Sequence, residues 1–269
     1  MSAFAPVSVV VPCYRCQVTL ERAVSSVVHQ TQRPAELILI DDASGDSTWA
    51  LLLAIQARHG EWVKIVALSA NAGAASARNA GWNLATQPYV AFLDADDAWH
   101  PQKIEIQYGY MQRHPDVALS GHSCRQLPEG STNNLAWEVA LTGVQTITWS
   151  RLLLRHQFVT PSVMLKREIG MRFSDGMRHM EDHRLWLEIV GAPLHTVKLQ
   201  VELAAVYKPA YGASGLSSNM WAMERAELAN YRYFYGQSKL SLPQLFLLQC
   251  YSLVKFLRRL VIVRFLNRI

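Results

Sequence analysis

Four mainly apolar runs punctuate the first hundred residues: Val7–Val11, Leu37–Ile40, Val63–Leu68 and Tyr89–Leu93. The segments between them repeat apolar residues at helical spacing (Leu20–Val28, Trp49–Arg58) or are rich in helix-forming alanine (Ala74–Ala85). A run such as Val7–Val11, with no polar residue on either side of the pleat except Ser8, suits a strand buried on both faces. Strand–helix alternation of this kind predicts an α/β chain with a Rossmann-like, mostly parallel sheet flanked by helices. In such sheets ligands bind beyond the C-terminal strand ends. Cys13 and Tyr14, Asp41 and Asp42, Asn71, and Asp94 and Asp96 all fall there. The polar stretch Gln126–Gly143 reads as an excursion or surface loop, Val159–Leu165 as strand-like, Glu181–Val190 as a helix, and Ala210–Asn219 as a mobile Gly/Ser/Ala segment.

With half of its 269 residues hydrophobic, the chain can bury a sizeable core without disulfide staples. Its four cysteines fit a reducing compartment. The N-terminus lacks the basic region of a signal peptide, and no uncharged apolar stretch reaches the roughly 18–20 residues that span a bilayer. A cytoplasmic protein is expected. The net charge of +5 is unevenly placed, because seven basic and no acidic residues follow Glu227. The preceding part is near neutral, which argues against a nucleic-acid-binding face. The division expected is a catalytic domain over 1–219 and a basic, apolar helical tail over 220–269. Between Leu253 and Val261 the charges fall on one side of a helix. That pattern reads either as an interfacial anchor attracted to anionic lipid or as a helix packed on the domain or on a second subunit.

Three acidic motifs carry the chemistry. In Asp94-Ala95-Asp96-Asp97, residues two apart on an extended backbone point to one side, so Asp94 and Asp96 can converge on Mg²⁺ or Mn²⁺. The alternative is an acidic turn capping the helix after Pro101. Asp41-Asp42 could cap the following helix, or could accept a hydrogen bond from a pyrimidine N3–H. Glu181-Asp182 could complement a helix dipole, or could supply a general base that deprotonates an acceptor hydroxyl. The Cys13-x-x-Cys16 pair stands alone and inside a ligand loop, so redox and zinc readings are set aside. His183 reads as a core or surface histidine. The first loop, PCYRCQ, lacks the G-x-G-x-x-G of a dinucleotide-binding dehydrogenase.

In order and spacing, VSVVVPCYRC, ELILIDDASGDST, NAGAASARNAG, YVAFLDADDAWHP and EDHRLWL resemble the family-2 glycosyltransferases with the GT-A fold, over roughly residues 7–217. The resemblance implies transfer of a sugar from a nucleoside-diphosphate donor, UDP-sugars favoured, to a saccharide hydroxyl in lipid-linked glycan or cell-surface polysaccharide synthesis. It implies Asp96 as direct metal ligand, with Asp94 near the ribose or the metal, and Mg²⁺ or Mn²⁺ as cofactor. It further places the base against Pro12, Tyr14 and Asp42 beside Asp41, and assigns Arg78 to the base or diphosphate. The base catalyst it implies is Asp182, with Glu181 second. One positioned base and no evident second nucleophile predict inversion at the anomeric carbon. The partners expected are donor, saccharide acceptor and, through the tail, either the inner membrane face or another copy. Arg15, Arg184 and Glu188 depart from the family's usual residues. A non-catalytic nucleotide-sugar-binding module on the same fold, or a nucleotidylyltransferase, is the alternative.

Overall fold

A computed structural model describes residues 4–128, 131, 135, 137–207 and 219–266. The segment Ala210–Asn219 lies outside the described residues up to Asn219 itself, as do Arg268 and parts of the 126–143 excursion.

The first half alternates as predicted. β1 (Phe4–Cys13), α1 (Leu20–Val28), β2 (Arg33–Asp41), α2 (Thr48–His59), β3 (Val63–Ala67), α3 (Ala74–Leu84) and β4 (Tyr89–Phe92) follow one another. β1 lies between β2 and β4, β3 lies outside β2, and all three pairings are parallel. Strand order therefore reverses between β1 and β4, the crevice position for ligands in open α/β sheets. Val7, Val9, Val11, Leu37 and Leu39 pack with α1 and α2 on one face, and Val10, Ile38 and Ile40 with α3 on the other. That is why these runs show no polar alternation. Gly81 lets α3 lie directly on the sheet, since a Cβ there would collide with Val10.

The second half is where sequence and structure part. β5 (Ala98–Trp99), α4 (Lys103–Arg113), β6 (Leu119–Gln126), β7 (Val144–Thr146), α5 (Trp149–Leu154), β8 (Met164–Lys166), α6 (Glu181–Gly191) and β9 (Thr196–Val206) extend the sheet in the order β3-β2-β1-β4-β8-β6-β9-β5. β8 is antiparallel to both β4 and β6, while β9 pairs parallel with β6 and antiparallel with β5 and β7. The strand-like run Val159–Leu165 is strand only from Met164. Thr160–Ser162 is a 3₁₀ turn, and Pro161 within it has no N–H to give a ladder. The excursion folds back, for Trp137 Nε1 donates to the Glu202 carbonyl at 3.0 Å. The turn before α2 is capped by Asp46, whose Oδ1 accepts from Thr48 N at 2.9 Å, and not by Ser47. The chain ends in two helices, α7 (Met220–Gly236) and α8 (Leu242–Leu266). Tyr231 and Phe234 of α7 join the core beside α5 and α6.

His122 on β6 is almost fully buried, and its Nδ1 hydrogen-bonds the Ser123 carbonyl at 2.8 Å. Burial, with Lys103 and Lys198 nearby, pushes its pKa down to about 3. In the unfolded chain it protonates near 6.5. Its contribution is therefore complete above pH 6.5 and is lost as pH falls towards 3. Between pH 7 and pH 4.5 this one group should remove roughly 2–3 kcal/mol of stability. Urea unfolding of a His122→Phe variant at the two pH values should show a correspondingly smaller drop.

Candidate functional site

Three loops at the C-terminal strand ends are held by backbone positions that sequence patterns do not reveal. Arg15, Ala43 and Met180 all adopt positive φ, at 48°, 54° and 59°. They stand directly beside Tyr14, Asp42 and Glu181. Non-glycine residues in this region are strained, and such strain collects where side chains must be aimed.

At the end of β1 Pro12 is half-buried, and just beyond it Tyr14 exposes its ring. The turn at Arg15 is tied to the second loop, because Arg15 N donates to Ser44 Oγ at 3.0 Å and Arg15 Nε to the Ser44 carbonyl at 3.3 Å. Asp41 accepts from both the Ser44 amide and its hydroxyl, so this acid shapes the turn. Asp42 is buried and caps neither α2 nor its own loop. It accepts from Asn71 Nδ2 at 2.9 Å, Ala72 N at 2.7 Å and Gly73 N at 2.8 Å, at the entry to α3. A carboxylate has about four acceptor positions, so roughly one remains.

The centre of the site is Arg78 on α3. Nη2 meets Asp94 Oδ1 at 2.7 Å and Nη1 meets Glu181 Oε1 at 2.9 Å, while the guanidinium also faces the Phe173 ring. Burial opposes its charge, but Asp94 and Glu181 more than offset this and raise its pKa. Glu181 is nearly as buried. Burial and the neighbouring Asp182 push its pKa up against the pull of Arg78. Asp182 is only half-buried; its Oδ2 accepts from the Thr160 hydroxyl at 3.0 Å and its Oδ1 from His183 N at 2.7 Å. The acid pair is thus divided: Glu181 is bound to the arginine, and Asp182 is left at the surface with one hydroxyl aimed at it.

Asp94 to Asp97 form a tight turn closed by Asp97 N on the Asp94 carbonyl at 3.0 Å. Asp94 and Asp96 are half-buried and Asp97 is buried. Asp97 accepts from the Tyr207 backbone, and burial with Asp94 and Asp96 raises its pKa. Arg22 donates to the Asp96 carbonyl and stacks 3.6 Å over the Tyr207 ring. Among the described residues no group of three or more His, Cys, Asp or Glu forms a metal cage. Asp94 and Asp96 sit on this turn and not on an extended backbone; they offer hard oxygens of the kind a divalent cation takes when phosphate and water supply the remaining ligands.

Thr160, Arg22 and Phe173 carry no sequence signal that would have placed them here. His183 is buried and stacks on His156 at 3.8 Å between ring centroids, as expected of a core histidine. The departures at Arg184 and Glu188 have a packing reason. Arg184 Nε donates to Asn230 Oδ1 at 2.8 Å, Asn230 Nδ2 donates to the Met180 carbonyl at 3.2 Å, and Glu188 faces Tyr233. Helix α7 therefore braces the start of α6.

These features belong with a known class of enzyme. The family model for glycosyl transferase family 2 matches residues 8–170, and the chain belongs to that family. It is similar to the UDP-Glc:alpha-D-GlcNAc-diphosphoundecaprenol beta-1,3-glucosyltransferase WfgD of Escherichia coli, 31% identical over 68% of this chain and 69% of the relative. A putative teichuronic acid biosynthesis glycosyltransferase, TuaG of Bacillus subtilis, is 28% identical over 84% of this chain and 87% of its own. Among solved structures, S. aureus TarS with UDP-GlcNAc aligns at TM-score 0.63 and 16% identity, covering 84% of this chain and 66% of that one. The mannosyltransferase PcManGT of Pyrobaculum calidifontis, with GDP-Man and Mn2+, aligns at TM-score 0.59 and 19% identity over 93% and 80%. These two share the GT-A fold with this glycosyltransferase.

Replacing Arg78 by methionine strands Glu181 and Asp94 without their cation. The expected cost is about 3 kcal/mol or more, measured by denaturant unfolding at pH 7. Arg78→Lys should recover only part of it, since one ammonium cannot reproduce two N–H groups aimed at two carboxylates.

Proposed function

We propose that this glycosyltransferase is inverting and metal-assisted, taking its sugar from a nucleoside-diphosphate sugar, UDP-sugars favoured, and passing it to a hydroxyl of a lipid-carried saccharide. The observation that carries the reading is the division of the acid pair. Glu181 is occupied by Arg78, while Asp182 is half-exposed and oriented by Thr160. A base so held can accept the acceptor's proton as its oxygen attacks the anomeric carbon from the side opposite the leaving diphosphate. An α-linked donor then yields a β-linked product.

On the donor side, Tyr14 offers an exposed ring for the base to stack on, and Asp42 keeps about one acceptor position for a pyrimidine N3–H. Both Nη atoms of Arg78 engage carboxylates, which lets it position Asp94 and Glu181, while its remaining N–H groups can meet the base or the diphosphate of the donor. Asp96 with Asp94 would hold Mg²⁺ or Mn²⁺, which when bound offsets charge on the diphosphate leaving group. Residues 1–219 are read as the catalytic part and 220–269 as a helical tail. The name of the E. coli relative, with its UDP-Glc donor and diphosphoundecaprenol-linked acceptor, supports a lipid-carried acceptor; such an acceptor implies work at the cytoplasmic membrane face, for which the tail is the proposed contact.

The test joins binding, rate and stereochemistry. Asp182→Asn should keep its thermal shift with UDP and Mn²⁺ yet lose about 10²–10⁴-fold in turnover. Asp96→Asn should lose both the metal-dependent shift and transfer. NMR of the wild-type product should give a β-anomeric linkage from an α-linked donor; retained configuration would sink the inverting reading.

A further inference from the structure

Helix α8 turns a mixed side inward and a mainly apolar side outward. The side turned to α7 and the core carries Ser252, Lys255 and Arg259 among the apolar Leu245, Leu248 and Phe256. Lys255 Nζ meets Glu227 Oε1 at 2.7 Å, Arg259 Nη2 meets Glu224 Oε2 at 3.2 Å, and the Ser252 hydroxyl donates to Glu224 Oε1 at 2.8 Å. Leu245 and Leu248 join the core, and Phe256 packs on Trp221. Glu224 and Glu227 are buried on α7, and Tyr231 donates to Glu227 at 2.8 Å. The opposite side repeats at helical spacing as Leu242, Phe246, Cys250, Leu253, Val254, Leu257 and Val261. On it Phe246, Leu247, Val254 and Leu257 are 59–65% exposed. Among its described side chains the one ionic group is Arg258, and no acid follows Glu227 anywhere in the sequence.

Two of the positive charges that make the tail basic are therefore neutralised inside the hairpin, and the apolar residues are presented outward. In water alone the opposite arrangement is the stable one. An isologous contact with a second copy would bury this stripe, but it brings Arg258 to a surface that offers no acid. A layer of anionic lipid supplies both an apolar phase for the leucines, phenylalanine and valines and phosphates for the arginine. No helix among the described residues is long and apolar enough to cross a membrane, which leaves lying in the interface as the mode of contact.

We propose that the Leu242–Val261 stripe of α8 lies in the headgroup boundary of an anionic membrane, with the Glu224/Glu227–Lys255/Arg259 ion pairs holding it outward. This rests on the reading that the acceptor is lipid-carried, and it names the surface that meets the lipid. Glu224 and Glu227 act here as positioning residues.

Cys250 lies on the stripe and is exposed, whereas Cys13 and Cys16 are buried and Cys124 is half-buried. An environment-sensitive fluorophore on Cys250 of the full chain, with Cys250→Ser as the labelling control, reports the contact directly. Vesicles of phosphatidylglycerol and phosphatidylethanolamine should shift the emission to the blue, and pure phosphatidylcholine vesicles should shift it at least severalfold less. Phe246→Glu with Val254→Glu, both exposed and so compatible with the fold, should cut vesicle partitioning at least tenfold. Transfer to a short soluble acceptor should be unchanged. No vesicle response, or a blue shift that follows protein concentration with a dimer in sedimentation velocity, overturns the inference. Transfer retained in that case leaves the enzymatic reading standing, and a vesicle response without transfer does the reverse.

Discussion

A buried guanidinium between two carboxylates organises this molecule's working end. Arg78 projects from α3, Asp94 follows β4 and Glu181 opens α6, so one side chain joins three elements that are far apart in sequence. A charge taken out of water carries a large desolvation cost, and it is tolerated because both faces of the fork meet an anion. The dependence runs both ways, since Glu181 is itself buried and the arginine holds down a pKa that burial and Asp182 raise. The arrangement also differentiates neighbours of the same chemistry. Glu181 is held on the arginine, and the adjacent Asp182 is left half-exposed beside Thr160.

Around that bridge, the loops that follow β1 and β2 brace each other. Ser44 links the Arg15 turn to Asp41, and Asp42 gathers the amides that open α3. Because Asp42 and Arg78 both act on α3, one at its entry and the other along it, the helix couples the first acidic pair to the later ones. The positive φ angles at Arg15, Ala43 and Met180 are supported by this bracing. Strained residues of this kind persist only where the surroundings over-determine them.

The C-terminal helices extend the same logic. Asn230 of α7 holds both Arg184 and the Met180 carbonyl, so the turn that aims Glu181 is supported from behind. Glu224 and Glu227 on the same helix hold Lys255 and Arg259 of α8. One helix thus braces the turn before the acid pair through Asn230 and pairs with the last helix through Glu224 and Glu227.

Much of this was legible in the residues alone. Strands buried on both faces read as continuous apolar runs, so β1 to β4, their helices and the crevice at their ends follow from local pattern. The acidic motifs were legible because they end the apolar runs at the side of the sheet where ligands bind in such folds. What the sequence could not specify were the non-local choices. β8 is three residues long and β6 mixes polar and apolar residues without a clean period; β9 alternates apolar and polar residues from Val197 to Leu203, but that alternation does not say which strands it pairs with. Likewise the basic tail carries the same helical stripe whether its ions face water or protein. Only the placement of Glu224 and Glu227 opposite Lys255 and Arg259 decided that the charges turn inward. Local sequence sets which residues share a helix face; the direction of that face depends on partners brought from elsewhere in the chain.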